Sequence, residues 1–181
     1  MNAADEEYLD KSPAAARMGK AAEHLVAAAA ILATRGELNV STSLVDDEGV
    51  DLVFHRRGSS ATLAVQVKSR MSTGTQVRKG RVMANVRSQT FQPRPDLDML
   101  FVAVDVDHGA VMTAWLVPST QFAQLVSPPN HLGRLRFSAS MKPDAQDRWR
   151  PFRLTTAELP RRILARLAEL ERGEPTTEQE G

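Results

Sequence analysis

Apolar residues change period several times along this chain, and the changes mark its elements. The stretch "KSPAAARMGKAAEHLVAAAAILATRG" is alanine-rich and reads as one helix. Ser12 stands where an N-cap belongs, Pro13 suits the first helical position, and Gly36 supplies the stop. The pattern then becomes alternation. Residues 38–45, 49–56 and 61–68 read as three strands, the last two joined through "RGSS". "MLFVAVDV" and "AVMTAWLVP" read as a hairpin turning at Asp107, His108 and Gly109. "PSTQFAQLV" reads as a short helix capped by Ser119, "RLRFSAS" as a strand and "RWRPFRL" as extended chain. The period of a helix returns in "TTAELPRRILARLAELERG", with Thr155 or Thr156 as cap and Ile163, Leu164, Leu167 and Leu170 as its apolar stripe.

The pattern predicts an α/β domain over residues 12–172, a central mixed sheet flanked by helices. An acidic, mobile N-terminus (1–11) precedes it and a disordered tail (173–181) follows. One stretch resists the alternation. From Ser69 to Pro95 the charged residues are Arg70, Arg78, Lys79, Arg81, Arg87 and Arg94, with no acid between them. Part of it, near Val77 to Arg87, reads as helix, although Gly80 speaks against that.

Pairing the strands brings polar groups together. With Arg57 and Ser60 closing the turn, Asp51 lies across from Gln66 and Gly49 across from Lys68. Val50, Leu52 and Phe54 then share an apolar face with Leu63, Val65 and Val67. The opposite face carries Asp51, Val53 and His55 with Thr62, Ala64, Gln66 and Lys68. One end of that face therefore holds a carboxylate, an amide and an ammonium within cross-strand reach. Asp51, Gln66 and the main-chain carbonyl of Val67 are hard oxygen donors of the kind Mg²⁺ prefers. Lys68 stands where it would orient a nucleophile or stabilise charge on phosphorus.

Composition narrows the chemistry. The chain has 181 residues, 42% hydrophobic and 25% charged, with a formal net charge of +1, so the basic stretch is a local feature of a nearly neutral molecule. There are no cysteines, which excludes disulfides and thiolate metal sites and is compatible with a cytoplasmic location. No apolar run is long enough to span a membrane, and the N-terminus lacks an apolar signal-peptide core.

The order of these features resembles the PD-(D/E)xK nuclease superfamily, in the branch with glutamine in the last motif, as in Mrr-like restriction endonucleases and relatives of Holliday-junction resolvases. The matching residues are Glu23 in "GKAAEHLVAAAAILATRG", Asp51 in "DEGVDLVF", and Gln66 and Lys68 in "VQVKSR". The match covers residues 17–70; Val50 precedes Asp51 where proline is common in the superfamily, and Gln66 replaces the second acid. The resemblance implies a restriction-endonuclease-like core. It implies Mg²⁺-dependent hydrolysis of DNA, with Mn²⁺ as substitute, leaving 5′-phosphate and 3′-hydroxyl ends. Asp51, Glu23, Gln66 and Val67 would bind metal, and Lys68 would position the attacking water. Glu23, Asp47 or Glu48 would supply the negative charge that Gln66 lacks.

Arginine's planar fork suits phosphate, which makes Arg70, Arg78, Lys79, Arg81 and Arg87 candidates for backbone contact. Arg134, Arg136, Arg148, Arg150 and Arg153 form a second basic group, and Trp149 within it reads as core. Glu23 has an ordinary alternative as an ion-pair partner of Lys20. His24 lies about 100° away from Glu23 on the helix, and His55, His108 and His131 read as surface or turn residues. Cutting both strands calls for two sites, which a homodimer would supply. Two other readings stay open: a relative that binds nucleic acid or a partner without cutting, and an interaction subunit exposing Leu164, Leu167 and Leu170. No helix-turn-helix with base-reading residues is present.

Overall fold

In the computed structural model, residues 12–42 and 49–173 are described. Expectations for 1–11, for 43–48 and for 174–181 lie outside them. Helix α1 spans Pro13–Ala33, with the Ser12 hydroxyl accepting from the Ala15 N–H at 3.1 Å, as an N-cap should. Three strands follow: β1 (Leu38–Thr42), β2 (Leu52–Arg56) and β3 (Thr62–Met71). A single turn of helix, α2 (Thr75–Arg78), leads to β4 (Arg81–Arg87). The hairpin is β5 (Leu97–Asp105) and β6 (Ala110–Pro118), followed by α3 (Ser119–Leu125) and β7 (Arg134–Ser140). A 3-10 turn (Arg150–Phe152) and the two-residue β8 (Arg153–Leu154) precede helix α4 (Glu158–Arg172). No helix among the described residues is long and apolar enough to cross a membrane.

The main sheet has six strands in the order β1-β2-β3-β5-β6-β8. β3 and β5 are parallel and the other neighbours antiparallel, so the sheet is mixed and carries helices, as expected. Strand β5 is buried along nearly its whole length, which is why "LFVAV" reads as an unbroken apolar run. Its two faces meet different partners. Leu100, Val102 and Val104 pack with Leu52, Phe54, Val65 and Val67 beneath α1 and α4. Ile163 and Leu167 of α4 are fully buried there, and Leu164 and Leu170 pack at its margin, so the stripe is core and no exposed docking face.

On the other face, Met99, Phe101 and Ala103 pack beneath an antiparallel ribbon made by β4 and β7. Within the basic stretch, Arg81–Arg87 is therefore strand, in place of the helix expected near Val77 to Arg87. Gly80 at φ +75° ends the helical turn, its N–H bonding back to Val77, and Val82, Ala84 and Val86 then alternate inward with period two. Phe101 stacks on Phe137 with ring centroids 3.7 Å apart, and Trp149 packs on both Phe122 and Phe137.

Two smaller expectations are corrected. Ser119 does not cap α3, whose N-cap is Pro118. The Ser119 hydroxyl is fully buried and braces the loop before β5, donating to the Arg94 carbonyl and accepting from the Arg94 N–H. "RWRPFRL" is a 3-10 turn and a strand stub, because Arg153 reaches back to the carbonyls of Met141 and Lys142 and folds the segment onto the ribbon's end.

Candidate functional site

The β2–β3 ladder has the expected register, with Leu52 opposite Val65 and Phe54 opposite Leu63. It stops one step short of expectation. The Asp51 N–H bonds to the Val65 carbonyl at 3.0 Å, so Asp51 and Leu52 both address one partner residue. Two residues against one is the arrangement of a β-bulge, which bends a strand and re-aims its side chains. The consequence is visible at Val50. It packs with Val53, Ala64 and Leu97, away from the Leu52 and Phe54 face it was expected to share. Alternation holds only within the ladder, and residues 49–51 lie beyond its end.

The bulge turns Asp51 toward the edge of β3. Its carboxylate accepts the Val67 N–H at 2.6 Å. Backbone N–H and C=O groups of one strand residue point to the same edge, so the Val67 carbonyl also faces this corner. Gln66 closes it from the side. A Cβ on Gly49 would lie 2.5 Å from the Gln66 amide nitrogen, so the amide rests against the bare Cα of Gly49. Gly49 has φ +70°, the left-handed region that glycine adopts without a Cβ penalty. Gln66 pairs with Met99 and Lys68 with Phe101, both in the core under the ribbon. The amide and the ammonium therefore leave the sheet on the ribbon side, and both are half-buried.

Asp51, just ahead of β2, is thus gathered with Gln66 and Val67 in the middle of β3, with Lys68 next along that strand, which runs on to Met71. Glu23 is not bonded to that group. It is buried in α1 at 9% exposure, and its carboxylate accepts from Lys20 Nζ at 2.5 Å. Asp47 and Glu48 fall outside the described residues. Among the described residues no three His, Asp or Glu side chains are grouped to hold a metal. The donor set at the corner is one carboxylate, one amide oxygen and one main-chain carbonyl. It suits a hard cation that keeps most of its water, as Mg²⁺ does.

The basic residues divide by position. Arg78 is exposed at the end of α2 and Lys79 at its C-cap, and Arg81 and Arg87 are exposed on the outer face of the ribbon. Arg70 is half-buried and donates to the Ser69 carbonyl at 2.7 Å. Arg94 pairs with Asp96 at 2.9 Å. Arg148 and Arg153 are spent on main-chain carbonyls, and Arg150 is exposed on the 3-10 turn. Trp149 is buried at 2% exposure, in the core as expected. His24 and His131 are exposed, His55 lies near Ser41, and His108 pairs with Asp105 in the hairpin turn.

Three features were not anticipated from the sequence. Gly49 shapes the site, and its signal was a glycine two residues before the aspartate. The Asp51 bulge had no signal in the pattern. The third is Asp98, fully buried in β5 and gripped by Arg166 of α4 through three hydrogen bonds of 2.9 to 3.3 Å. Arg166 also bonds Glu169 at 2.6 Å and the Pro95 carbonyl at 3.0 Å. Burial is the largest influence on Asp98 and pushes its pKa up, against the pull of the guanidinium. Burial also opposes the Arg166 charge, but the bonds and charges of Asp98 and Glu169 outweigh it and hold Arg166 ionised.

No protein-family model matches the chain, and no curated protein matches it. Among solved structures it is similar to a bacterial homing endonuclease, I-Ssp6803I, with a TM-score of 0.49 at 22% identity over 83% of this chain and 94% of that one. That is a likeness of overall trace, and no chemistry is carried from it.

Proposed function

We propose that the chain is a metal-dependent nuclease that hydrolyses DNA phosphodiester bonds at the corner formed by Asp51, Gln66, Val67 and Lys68. The observation that carries this reading is the bulge-directed Asp51 carboxylate on Val67, packed beside the Gln66 amide that only Gly49 leaves room for. A bulge and a left-handed glycine serve no need of the apolar core, and such devices gather where a side chain must be aimed.

Asp51, with the Gln66 amide oxygen and the Val67 carbonyl, would hold Mg²⁺ or Mn²⁺. When bound, such an ion supplies Lewis-acid stabilisation and lowers the pKa of a coordinated water. The Val67 N–H fixes the Asp51 carboxylate in one orientation. Gly49 restricts the Gln66 amide from one side, which would narrow the rotamers that present its oxygen. Lys68, leaving the sheet on the same side, would orient the attacking water and stabilise charge on the phosphate oxygens. The exposed Arg78, Lys79 and Arg81 would hold the nucleic-acid backbone beside it. In-line attack would leave 5′-phosphate and 3′-hydroxyl ends, as the superfamily resemblance implies. The buried Glu23, tied to Lys20, would join as a ligand only by exchanging that ion pair for the metal.

The test is cleavage of linear, supercoiled and branched DNA in Mg²⁺ or Mn²⁺, with a chelator control, by wild type, Asp51→Ala and Lys68→Ala. Expected is metal-dependent cutting lowered at least 100-fold by either substitution, on the scale of losing one preorganised charge-stabilising group. Salt-sensitive binding without cutting in wild type would instead support the second reading, a relative that binds DNA but no longer cleaves it. That reading is favoured by one observation, the neutral Gln66 in a corner with a single described carboxylate.

A further inference from the structure

The two basic groups that stand far apart in the sequence meet on the ribbon. Val82, Ala84 and Val86 of β4 and Leu135, Phe137 and Ala139 of β7 point into the core. The alternate positions form the outer face, with Arg81, Met83, Asn85 and Arg87 on one strand and Arg134, Arg136, Ser138 and Ser140 on the other; Met83 and Asn85 are half-buried between the two arginines of β4. Arg87 lies directly opposite Arg134, with Arg136 diagonal to Arg87 and two residues along the strand from Arg134, and Arg81 reaches across to the Ser138 hydroxyl at 2.9 Å. Neither strand contributes an acid to this face. Arg81, Arg87 and Arg136 are exposed.

We infer that this outer face enters the major groove of duplex DNA, with Arg87 and Arg136 reading base edges and Arg81 and Arg134 holding the flanking phosphates. The inference rests on the DNA reading proposed above and adds to it the groove and the reading residues. Width decides the groove. Two strands about 4.8 Å apart, with side chains standing out from them, match a major groove about 12 Å wide and exceed a minor groove of about 6 Å. Spacing fits as well: same-face residues recur about every 6.8 Å, close to two base steps. Arg81 to Arg87 spans about 20 Å, roughly six base steps. Rigidity favours reading over loose charge attraction, because the ribbon is pinned from below by Phe137 stacked on Phe101. Arginine's fork matches the O6 and N7 acceptors of guanine, the commonest specific contact in that groove. The ribbon also covers the side of the sheet from which Gln66 and Lys68 emerge, so DNA held on it lies on the reacting side.

The test uses the full chain, a duplex library randomised at its centre, and guanine-N7 methylation interference, with folding of each variant checked by thermal melting. Expected is a wild-type preference that includes guanine, and interference at those guanines. Arg136→Ala and Arg87→Ala should each relax the preference at one position by on the order of 10- to 100-fold. Arg81→Ala should weaken all sequences alike and lower the slope of log affinity on log salt by about 0.9. Uniform weakening by Arg87→Ala and Arg136→Ala, an unchanged preference, or no wild-type preference at all would overturn the inference while leaving DNA cleavage standing. A wild type that neither binds nor cuts duplex DNA would overturn both. Cleavage retained with competition by a minor-groove ligand and no N7 interference would overturn this inference alone.

Discussion

The two faces of the central sheet bury neighbouring residues of the same strands and treat charge in opposite ways. Beneath α1 and α4 the packing is aliphatic apart from Phe54, with small alanines at Ala22 and Ala30 letting α1 approach the sheet. Its charges are turned inward and answered: Asp98 by Arg166, Glu23 by Lys20. Beneath the ribbon the packing is aromatic, and the arginines of β4 and β7 are turned outward. A charge paired inside holds two elements together and is costly to disturb. A charge presented outside costs little to the fold and is available to a polyanion. On the proposed function one face would therefore govern stability and the other binding, and substitutions on the two should separate these properties.

The largest expected effect is on the helix face. Arg166→Ala leaves Asp98 buried without its partner and should lower unfolding free energy by about 3–5 kcal/mol, measured by chemical denaturation. Asp98→Leu with Arg166→Met, which removes both charges, should recover most of that loss. DNA affinity of the folded protein should not move in either variant. A change in affinity without a change in stability would break the division of labour between the faces.

Gly49 sits where the division is least clean, because backbone and site share it. Gly49→Ala forces a side chain into the left-handed region, at roughly 1–2 kcal/mol, and drives its Cβ into the Gln66 amide. The expected outcome is a modest loss of stability with a disproportionate loss of cleavage, at least tenfold with DNA binding retained. Equal small losses in both would mean that Gly49 serves the turn alone and that Gln66 is not placed by it.

Legibility in the sequence followed the range of the interactions. The Ser12 cap, the hairpin turn and the β2–β3 register depend on residues close in sequence or on strict alternation, and they were readable. The gathering of Asp51, Gln66 and Val67 followed from the same alternation, but its geometry did not. A bulge spends one residue outside the ladder, and no periodicity reports it. Glu23 was named as a candidate ligand from its motif position, and the structure places it in the ion pair that helix spacing alone also predicted. The ribbon was the least legible element. β4 and β7 are about fifty residues apart, and Arg87 meets Arg134 only because both strands cross the same aromatic core. Asp98 did interrupt an apolar run in plain view, but its partner lies 68 residues away on α4.

The smallest expected effect tests whether the helix face depends on pH through an exposed group as well as buried ones. Thr155 and Glu158 bond each other reciprocally just ahead of α4, whose N-cap is Ala157 and not the Thr155 or Thr156 expected from the sequence. The Thr155 N–H donates to the Glu158 carboxylate at 2.8 Å, and the Glu158 N–H donates to the Thr155 hydroxyl at 3.3 Å. Those bonds, the backbone one first, hold the Glu158 pKa below its ordinary value of 4.5. A carboxyl with a depressed folded pKa contributes stability that is fully present above its unfolded value and lost as pH falls through the folded one. Glu158→Gln keeps an acceptor but cannot titrate. The stability difference between wild type and this variant should therefore be present near neutrality and shrink on acidification below about pH 4.5. Asp105, also lowered through His108, changes in the same direction in both proteins and cancels from that difference. A difference that stays constant down to the acid limit would mean that α4 is held by its buried stripe and the Asp98–Arg166 pair without help from the Thr155–Glu158 bonds.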